Sequence, residues 1–222
     1  TEKPDMRFGL EIVDVTDVVA NSEFNVFKSA AASGGVVRAI GVPNRSDISR
    51  REIDDLTSFA QQQGAKGLVW IGLQEEGGKL AARSPIARFL SESELSGLAA
   101  ATGTKPGDLL LLVADEEMLA ATVLGRLRSR LGRDLGLIDS QLCAPLWVLD
   151  FPMYEWNEDE QRWDAMHHPF TAPMDEDAHL LETDPGAVRA KAYDIVVDGY
   201  EMGSGSIRVH FMEATLSGSR GA

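Results

Sequence analysis

Residues 109–131 read LLLLVADEEMLAATVLGRLRSRL, and this stretch does most to decide the fold. It opens with an unbroken apolar run from Leu109 to Ala114, which predicts a buried strand. From Glu116 onward the apolar residues recur every three or four positions, which predicts a helix with one apolar face. That face consists of Leu119, Val123, Leu124, Leu127 and Leu131, with Gly132 following. A strand followed by such a helix indicates a helical layer packed on a sheet.

Similar signals surround this stretch. Runs rich in β-branched residues at positions 34–43 and 67–73 predict two further strands. Ser49 with Glu52 three residues later predicts a capped helix start, and a further helix is expected from about Ser91. Strands and helices therefore alternate, and the predicted fold class is α+β, with an antiparallel sheet and helices on one face.

This α+β module spans residues 20–140, and the sequence pattern changes after it. Residues 146–156 predict one long strand, and residues 157–160 predict a polar turn. Residues 162–167 are then expected to return as the partner strand of a hairpin. The change predicts a second structural region that begins near residue 141.

The chain of 222 residues is acidic, with 35 Asp and Glu against 21 Lys and Arg and a net charge of −14. This charge argues against nonspecific binding to a polyanion, but local basic patches can still contact RNA. One group of arginines on the predicted long helix is either such a patch or a solvated helix face. It consists of Arg126, Arg128, Arg130 and Arg133.

The cysteine content and the hydropathy of the chain indicate the cellular compartment of the protein. Cys143 is the single cysteine, so no internal disulfide forms, which suits a reducing cytosol and predicts a cytoplasmic protein. Its apolar neighbours favour a buried core thiol over a nucleophile. No apolar run in the sequence approaches the ~20 residues of a membrane span, so no membrane partner is expected. Because Lys3-Pro4-Asp5 is typical of sequence inside a domain, a longer parent protein is expected.

The segment from Asp194 to Arg208 carries the densest set of candidate site residues. Asp194 and Glu201 are either two ligands for a divalent cation or two solvated strand acids. Arg208 is either a bidentate clamp for a carboxylate or a surface arginine on an edge strand. The small residues at 203–206 either let a flat ligand approach the backbone or form an ordinary bulge.

His167 and His168 precede a proline, which restricts the local backbone and predicts a bend. Imidazole can bind a phosphate when charged or hydrogen-bond a carboxylate, and a purely structural turn is the alternative. Adjacent side chains on a strand point to opposite faces, so the two histidines are poor joint ligands for zinc.

Taken in order, a set of short strings resembles bacterial-type aspartyl-tRNA synthetase, a class II aminoacyl-tRNA synthetase. The resemblance extends over residues 2–210, and the number and order of the strings make it specific. The strings are KPDMRF (3–8), GVV (35–37), SPIARFL (84–90), KPGD (105–108), LWV (146–148), DFP (150–152), HHPFT (167–171), LETDPG (181–186), AKAYD (190–194), GYE (199–201) and SIR (206–208).

The resemblance implies a GAD domain inserted between two parts of an antiparallel catalytic sheet. By this reading residues 20–140 are the insertion, and residues 1–19 and 141–210 are catalytic-domain segments. Residues 211–222 depart from the family pattern and are expected to be a divergent tail. The remaining class II motifs are expected outside this chain, so the chain alone is expected to be inactive.

The resemblance also implies an activity: ATP-dependent activation of aspartate and its transfer to tRNA(Asp), with Mg²⁺ as cofactor and a homodimeric parent enzyme. Asp194 and Glu201 would lie at the ATP–Mg²⁺ site, and Arg208 would bind the side-chain carboxylate of aspartate. His167 and His168 would lie near the amino acid and the phosphate. Glu2 stands where the family has an aspartate beside the substrate's amino group. The resemblance assigns no catalytic side chain to this chain, and the alternative is a non-catalytic GAD-type module that binds tRNA or a partner.

Overall fold

The computed structural model describes residues 3–209 of the chain. Contacts divide these residues into two compact units, Phe8–Asp139 and a second unit made of residues 3–7 and 140–209. The first division lies before Phe8, not after residue 19 as predicted from the sequence. The reason is that Val15 and Val19 are almost fully buried in the core of the first unit.

The first unit has a five-stranded antiparallel sheet in the order β1-β2-β5-β3-β4, with helices packed on it. Its elements in chain order are β1 (Ile12–Asp14), α1 (Thr16–Val19), α2 (Asn25–Ala32), β2 (Val36–Val42), α3 (Arg50–Gln62), β3 (Val69–Glu76), β4 (Lys79–Arg83), α4 (Glu92–Thr102), β5 (Leu109–Asp115) and α5 (Glu117–Asp134). The α+β class and the antiparallel sheet are therefore confirmed.

Helices cover both faces of this sheet, so the prediction of helices on one face was wrong. Strand β5 lies between β2 and β3, and Leu109 to Leu112 are all completely buried. Leu111 packs among residues of α3 and α5, whereas Leu110 and Leu112 pack among residues of α1, α2 and α4. Side chains alternate between the faces of a strand, so an unbroken leucine run requires a cover on each side.

Helix α5 continues through Gly132 to Asp134, beyond the last residue of the predicted apolar face. A Cβ at position 132 would lie 2.6 Å from the ring of Phe8, so the glycine makes room for this ring. The helix ends where Gly136 takes a positive φ of 63°. Gly132 therefore allows close packing inside the helix, and Gly136, four residues later, allows the chain to turn.

The two predicted helix starts are confirmed, each with a full capping box. The Ser49 hydroxyl accepts a hydrogen bond from the Glu52 backbone N–H, and the Glu52 carboxylate accepts from the Ser49 N–H. Ser91 and Glu94 form the same pair at the start of α4. Such reciprocal bonds satisfy donors that the first turn of a helix leaves unpaired, so they fix where the helix begins.

The second unit contains a three-stranded antiparallel sheet and a separate hairpin. The sheet has the order β10-β9-β6, and β7 pairs with β8 in the hairpin. The strands are β6 (Pro145–Val148), β7 (Tyr154–Asn157), β8 (Arg162–Ala165), β9 (Ala192–Val197) and β10 (Tyr200–Ser206), with 3₁₀ turns at Asp175–Leu180 and Pro185–Ala187. The predicted hairpin is confirmed.

The long strand predicted for residues 146–156 is broken into β6 and β7. Asp150 takes a positive φ of 57°, and Pro152 cannot donate a ladder hydrogen bond. Cys143 lies in the loop before β6 and is exposed, so the expectation of a buried thiol was also wrong. Within residues 3–209, no helix is both long and apolar enough to cross a membrane.

Candidate functional site

The β9–β10 hairpin carries Asp194 and Glu201, and its turn is held in place by charged side chains. Asp198 and Gly199 occupy the turn with positive φ values of 56° and 83°. The Asp198 carboxylate accepts a hydrogen bond from the Ala144 N–H at 2.9 Å and lies 3.6 Å from Arg7 Nε. Arg7 in turn donates two bonds to Asp5, at 3.0 and 2.7 Å, so the segment of residues 3–7 braces the turn.

The strand register places the two predicted Mg²⁺ ligands on one face of the sheet. Asp194 pairs with Ser204, and Glu201 pairs with Val196. Val196 and Asp194 lie two residues apart on β9 and therefore point the same way. A bulge between Glu201 and Gly203 keeps Glu201 on this face despite the odd spacing. We call it the site face.

The donor set on the site face suits magnesium bound together with a nucleotide. Asp194 is half-buried, and the Glu201 carboxylate lies 3.2 Å from Lys3 Nζ. Within residues 3–209 no group of three or more His, Cys, Asp or Glu side chains is arranged to hold a metal. Two carboxylates fit Mg²⁺ only if phosphates and water complete its octahedron, which is how this ion is usually bound beside nucleotides.

The glycines of the small-residue run face away from the two acids. Gly203 pairs with Ile195 and Gly205 pairs with Tyr193, so both belong to the opposite face. A Cβ at position 205 would lie 2.6 Å from the Tyr193 ring, which therefore occupies the space above this glycine. The run therefore accommodates a tyrosine of the sheet itself, and the bulge lies just before it, between Glu201 and Gly203.

Arg208 and the histidine segment are brought together by the backbone. Thr171 forms an antiparallel bridge with Arg208. The Ala172 N–H donates to the Ile207 carbonyl at 2.8 Å, and the Val209 N–H donates to the Phe170 carbonyl at 2.9 Å. Arg208 follows Ser204 and Ser206 at intervals of two residues, so strand alternation places it on the site face as well.

The two histidines differ in their surroundings. His168 Nδ1 accepts a hydrogen bond from the Phe170 N–H at 3.2 Å, which leaves Nε2 as the protonated nitrogen of the neutral ring. His167 stands edge-on to Phe151, with ring centroids 4.7 Å apart. Both histidines are exposed, and only His168 has the geometry of an oriented N–H donor.

A partly buried ion pair supports the same region. Asp177 is 8% exposed and accepts from Arg189 Nε at 2.7 Å and Nη2 at 3.1 Å. This guanidinium lowers the pKa of the Asp177 carboxyl. The two residues after Arg189 also form backbone hydrogen bonds. The Ala190 N–H donates to the Phe151 carbonyl, and the Lys191 N–H donates to the Ala172 carbonyl. Sequence reasoning missed this support because the partners are twelve residues apart and carry no local motif.

Two other sets of residues were singled out in the sequence. Glu2 and the tail at 211–222 lie outside the described residues. Among the arginines of α5, Arg128 is buried and donates to the carbonyls of Phe8 and Leu10 at 2.9 and 3.1 Å. The other contacts are Arg126 with Gln63 and Arg130 with Asp55 and Asp134. For Arg128 the patch reading is therefore wrong, and so is the solvated-face alternative.

Comparison with known proteins finds matches to residues of both units. Residues 27–124 match the family model of the GAD domain. The chain is 53% identical over 210 residues to "Aspartate--tRNA(Asp/Asn) ligase" of Moorella thermoacetica (strain ATCC 39073 / JCM 9320), a match over 95% of this chain and 34% of the relative. It is 49% identical over 209 residues to the protein of the same name from Geotalea uraniireducens (strain Rf4), covering 94% of this chain and 35% of the relative.

A third relative is "Aspartate--tRNA ligase" of Clostridium acetobutylicum, 49% identical over 211 residues, with 95% of this chain and 35% of the relative matched. The chain thus spans about a third of the length of the curated relatives it matches. Residues 27–124 thus match the GAD domain, and the chain as a whole is similar to a part of the aspartate–tRNA ligases.

Proposed function

We propose that this chain supplies one wall of the active site of an aspartate–tRNA ligase. The observation that carries the proposal is the shared face: the β9–β10 register aligns Asp194 with Glu201, and the bridge to Thr171 sets the histidine segment beside Arg208. Cation ligands and a carboxylate clamp on one surface suit a reaction that joins an acidic amino acid to a nucleotide.

In the proposed reaction the α-carboxylate of aspartate attacks the α-phosphate of ATP, and pyrophosphate leaves. A ribose hydroxyl of tRNA(Asp) then attacks the activated carbonyl, and AMP leaves. Bound Mg²⁺ would neutralise charge on the phosphates, held by Asp194 and Glu201. Arg208 would fork onto the aspartate side chain, with His168 Nε2–H as a nearby donor. Most of the catalysis would be positioning and electrostatic stabilisation, since no side chain forms a covalent bond.

We further propose a cytoplasmic location and a homodimeric complete ligase. A protein with one exposed thiol and no internal disulfide suits a reducing compartment. The dimer follows from the family resemblance alone.

Binding measurements on the chain test the proposal directly. Calorimetric titration with Mg²⁺–ATP is expected to give saturable binding, weakened about tenfold or more by Asp194→Asn or Glu201→Gln through loss of a charged ligand. Glu182→Gln, an exposed acid of the same unit, serves as the control and should leave the affinity unchanged. Equal affinities for all four proteins would reject the proposed magnesium site. Aspartate-dependent pyrophosphate exchange by the chain alone is expected to be undetectable.

A second function, RNA or partner binding by the first unit, is favoured by the GAD match and by the unit's own two-sided core. Binding of tRNA(Asp) by residues 8–139 would then weaken steeply with salt, because phosphate contacts release counterions. Salt-insensitive or undetectable binding would count against an RNA role.

A further inference from the structure

A buried threonine hydroxyl lies beside Arg208 without a hydrogen-bond partner. Thr171 is 2% exposed, and its Oγ1 makes no hydrogen bond to any other residue in the part of the chain described, 3–209. Buried side-chain polar groups are nearly always paired, because leaving one unpaired destabilises the folded protein. An exception next to a proposed substrate clamp therefore needs a physical explanation.

The backbone pattern fixes where this hydroxyl lies. The two bonds that flank the Thr171–Arg208 bridge run from Ala172 to Ile207 and from Val209 to Phe170. That pattern makes Thr171 and Arg208 a non-hydrogen-bonded antiparallel pair, the kind whose Cα atoms lie only about 4.5 Å apart. Side chains of such a pair project on the same face and are immediate neighbours. The hydroxyl thus stands next to the base of the arginine side chain, on the site face.

The side chains of the proposed aspartate site are hydrogen-bond donors. The Arg208 guanidinium can only donate, and His168 presents Nε2–H when its ring is neutral. A hydroxyl completes this set with a third donor that the folded protein does not use. Donors of this kind suit a carboxylate, which only accepts, and disfavour a carboxamide, whose NH₂ group would face them.

We propose that Thr171 Oγ1 donates a hydrogen bond to the side-chain carboxylate that Arg208 clamps, which makes Thr171 a specificity-determining residue for aspartate over asparagine. The proposal rests on the proposed function of Arg208. Since the hydroxyl has no partner among the described residues, this bond does not replace one within the folded protein.

The test compares Thr171→Val, which replaces the hydroxyl by a methyl group, with Thr171→Ser, which keeps it. For the valine variant we expect aspartate affinity of the chain, measured by titration calorimetry, to fall about tenfold, the scale of a lost hydrogen bond to a charged group. The affinity for asparagine should change little, so the ratio of aspartate affinity to asparagine affinity should fall. The melting temperature of the valine variant should rise, because an unpaired buried hydroxyl is removed. The serine variant should bind aspartate with the same affinity as the unaltered chain.

Different outcomes separate this proposal from the function it rests on. A valine variant with unchanged aspartate affinity and a lower melting temperature would overturn the Thr171 contact, since the hydroxyl would then have a structural partner. If Arg208→Ala abolishes aspartate binding while Thr171→Val leaves it intact, the clamp stands and only the Thr171 contact fails. If the unaltered chain shows no saturable aspartate binding, the proposed aspartate site and the Thr171 contact fail together.

Discussion

Glu52 shows how one side chain can fix where a helix begins. Its carboxylate accepts from the backbone and hydroxyl of Ser49 at 3.1 and 2.7 Å and also pairs with Arg45. These hydrogen bonds lower the pKa of Glu52 from its ordinary value of 4.5 to about 2. The residue that defines the start of α3 is therefore also a source of pH-dependent stability.

We expect Glu52→Gln to lose an acid-sensitive part of the stability. A carboxyl whose pKa is depressed on folding stabilises the protein above its unfolded pKa, and this contribution is lost as pH falls toward the folded pKa. The difference in unfolding midpoint between the parent chain and the variant should shrink as pH falls from 4.5 to about 2. Urea denaturation at several pH values measures it. Asp54→Asn, an exposed acid of the same helix outside the box, is the control.

Gly132 gives a second residue-scale prediction. Gly132→Ala would place a Cβ 2.6 Å from the Phe8 ring, so the variant should unfold more easily by about 1–3 kcal/mol, as overpacked sites do. Adding Phe8→Leu should recover part of the loss, because the two substitutions act on one contact. Ser129→Ala on the same helix is the control for a change in helix propensity. Strict additivity in a double-mutant cycle of denaturation free energies would contradict the contact.

At the scale of elements, the β9–β10 hairpin depends on its turn. Asp198 and Gly199 both have positive φ, a conformation that suits the right-handed twist of a two-residue hairpin. Through the register that it sets, the turn decides that Asp194 and Glu201 share a face. An error of one residue would move every side chain of β10 to the other side.

We expect Gly199→Ala to destabilise the hairpin by about 1–2 kcal/mol, because L residues are strained at positive φ. The added Cβ would also lie 3.3 Å from the Cβ of Asp5. Gly199→Asn should cost less, since asparagine tolerates this conformation. Amide hydrogen exchange of β9 and β10 measures the local loss. Equal exchange rates in all three proteins would show that the turn does not limit hairpin stability.

At the scale of the whole molecule, the first unit depends on a sheet covered on both sides. Leu110 and Leu111 are neighbours in sequence, yet one packs in each of the two hydrophobic clusters that flank the sheet. An α+β fold with helices on one face would leave one of them exposed.

Leu110→Ala and Leu111→Ala are therefore each expected to lower the free energy of unfolding by about 2–5 kcal/mol, as buried leucines do. Met118→Ala, at a residue 72% exposed, should change it by less than about 0.5 kcal/mol. Urea unfolding of residues 8–139 measures all three. A small effect at either leucine would mean that its face of the sheet is not a real core.

Signals confined to a few neighbouring residues could be predicted from the sequence. The capping box at Ser49, the helix start at Ser91, the strand at Leu109 and the hairpin of residues 154–165 were all found this way. The candidate site residues were identified from the order of short strings along the chain and from the family that these strings resemble. What depends on distant contacts was missed or misjudged, as at Gly132, where the ring of Phe8 decides the residue.

The sequence by itself determined the α+β class, the starts of the helices, the buried central strand and the family that the chain resembles. Local hydrogen bonding and apolar periodicity depend on residues that are close together in the chain. Only the tertiary structure decided that the sheet is covered on both faces, that the first unit begins near Phe8, and that Gly205 faces Tyr193. It also paired Thr171 with Arg208. Strand register and packing bring together residues far apart in the chain, and no local pattern encodes that proximity.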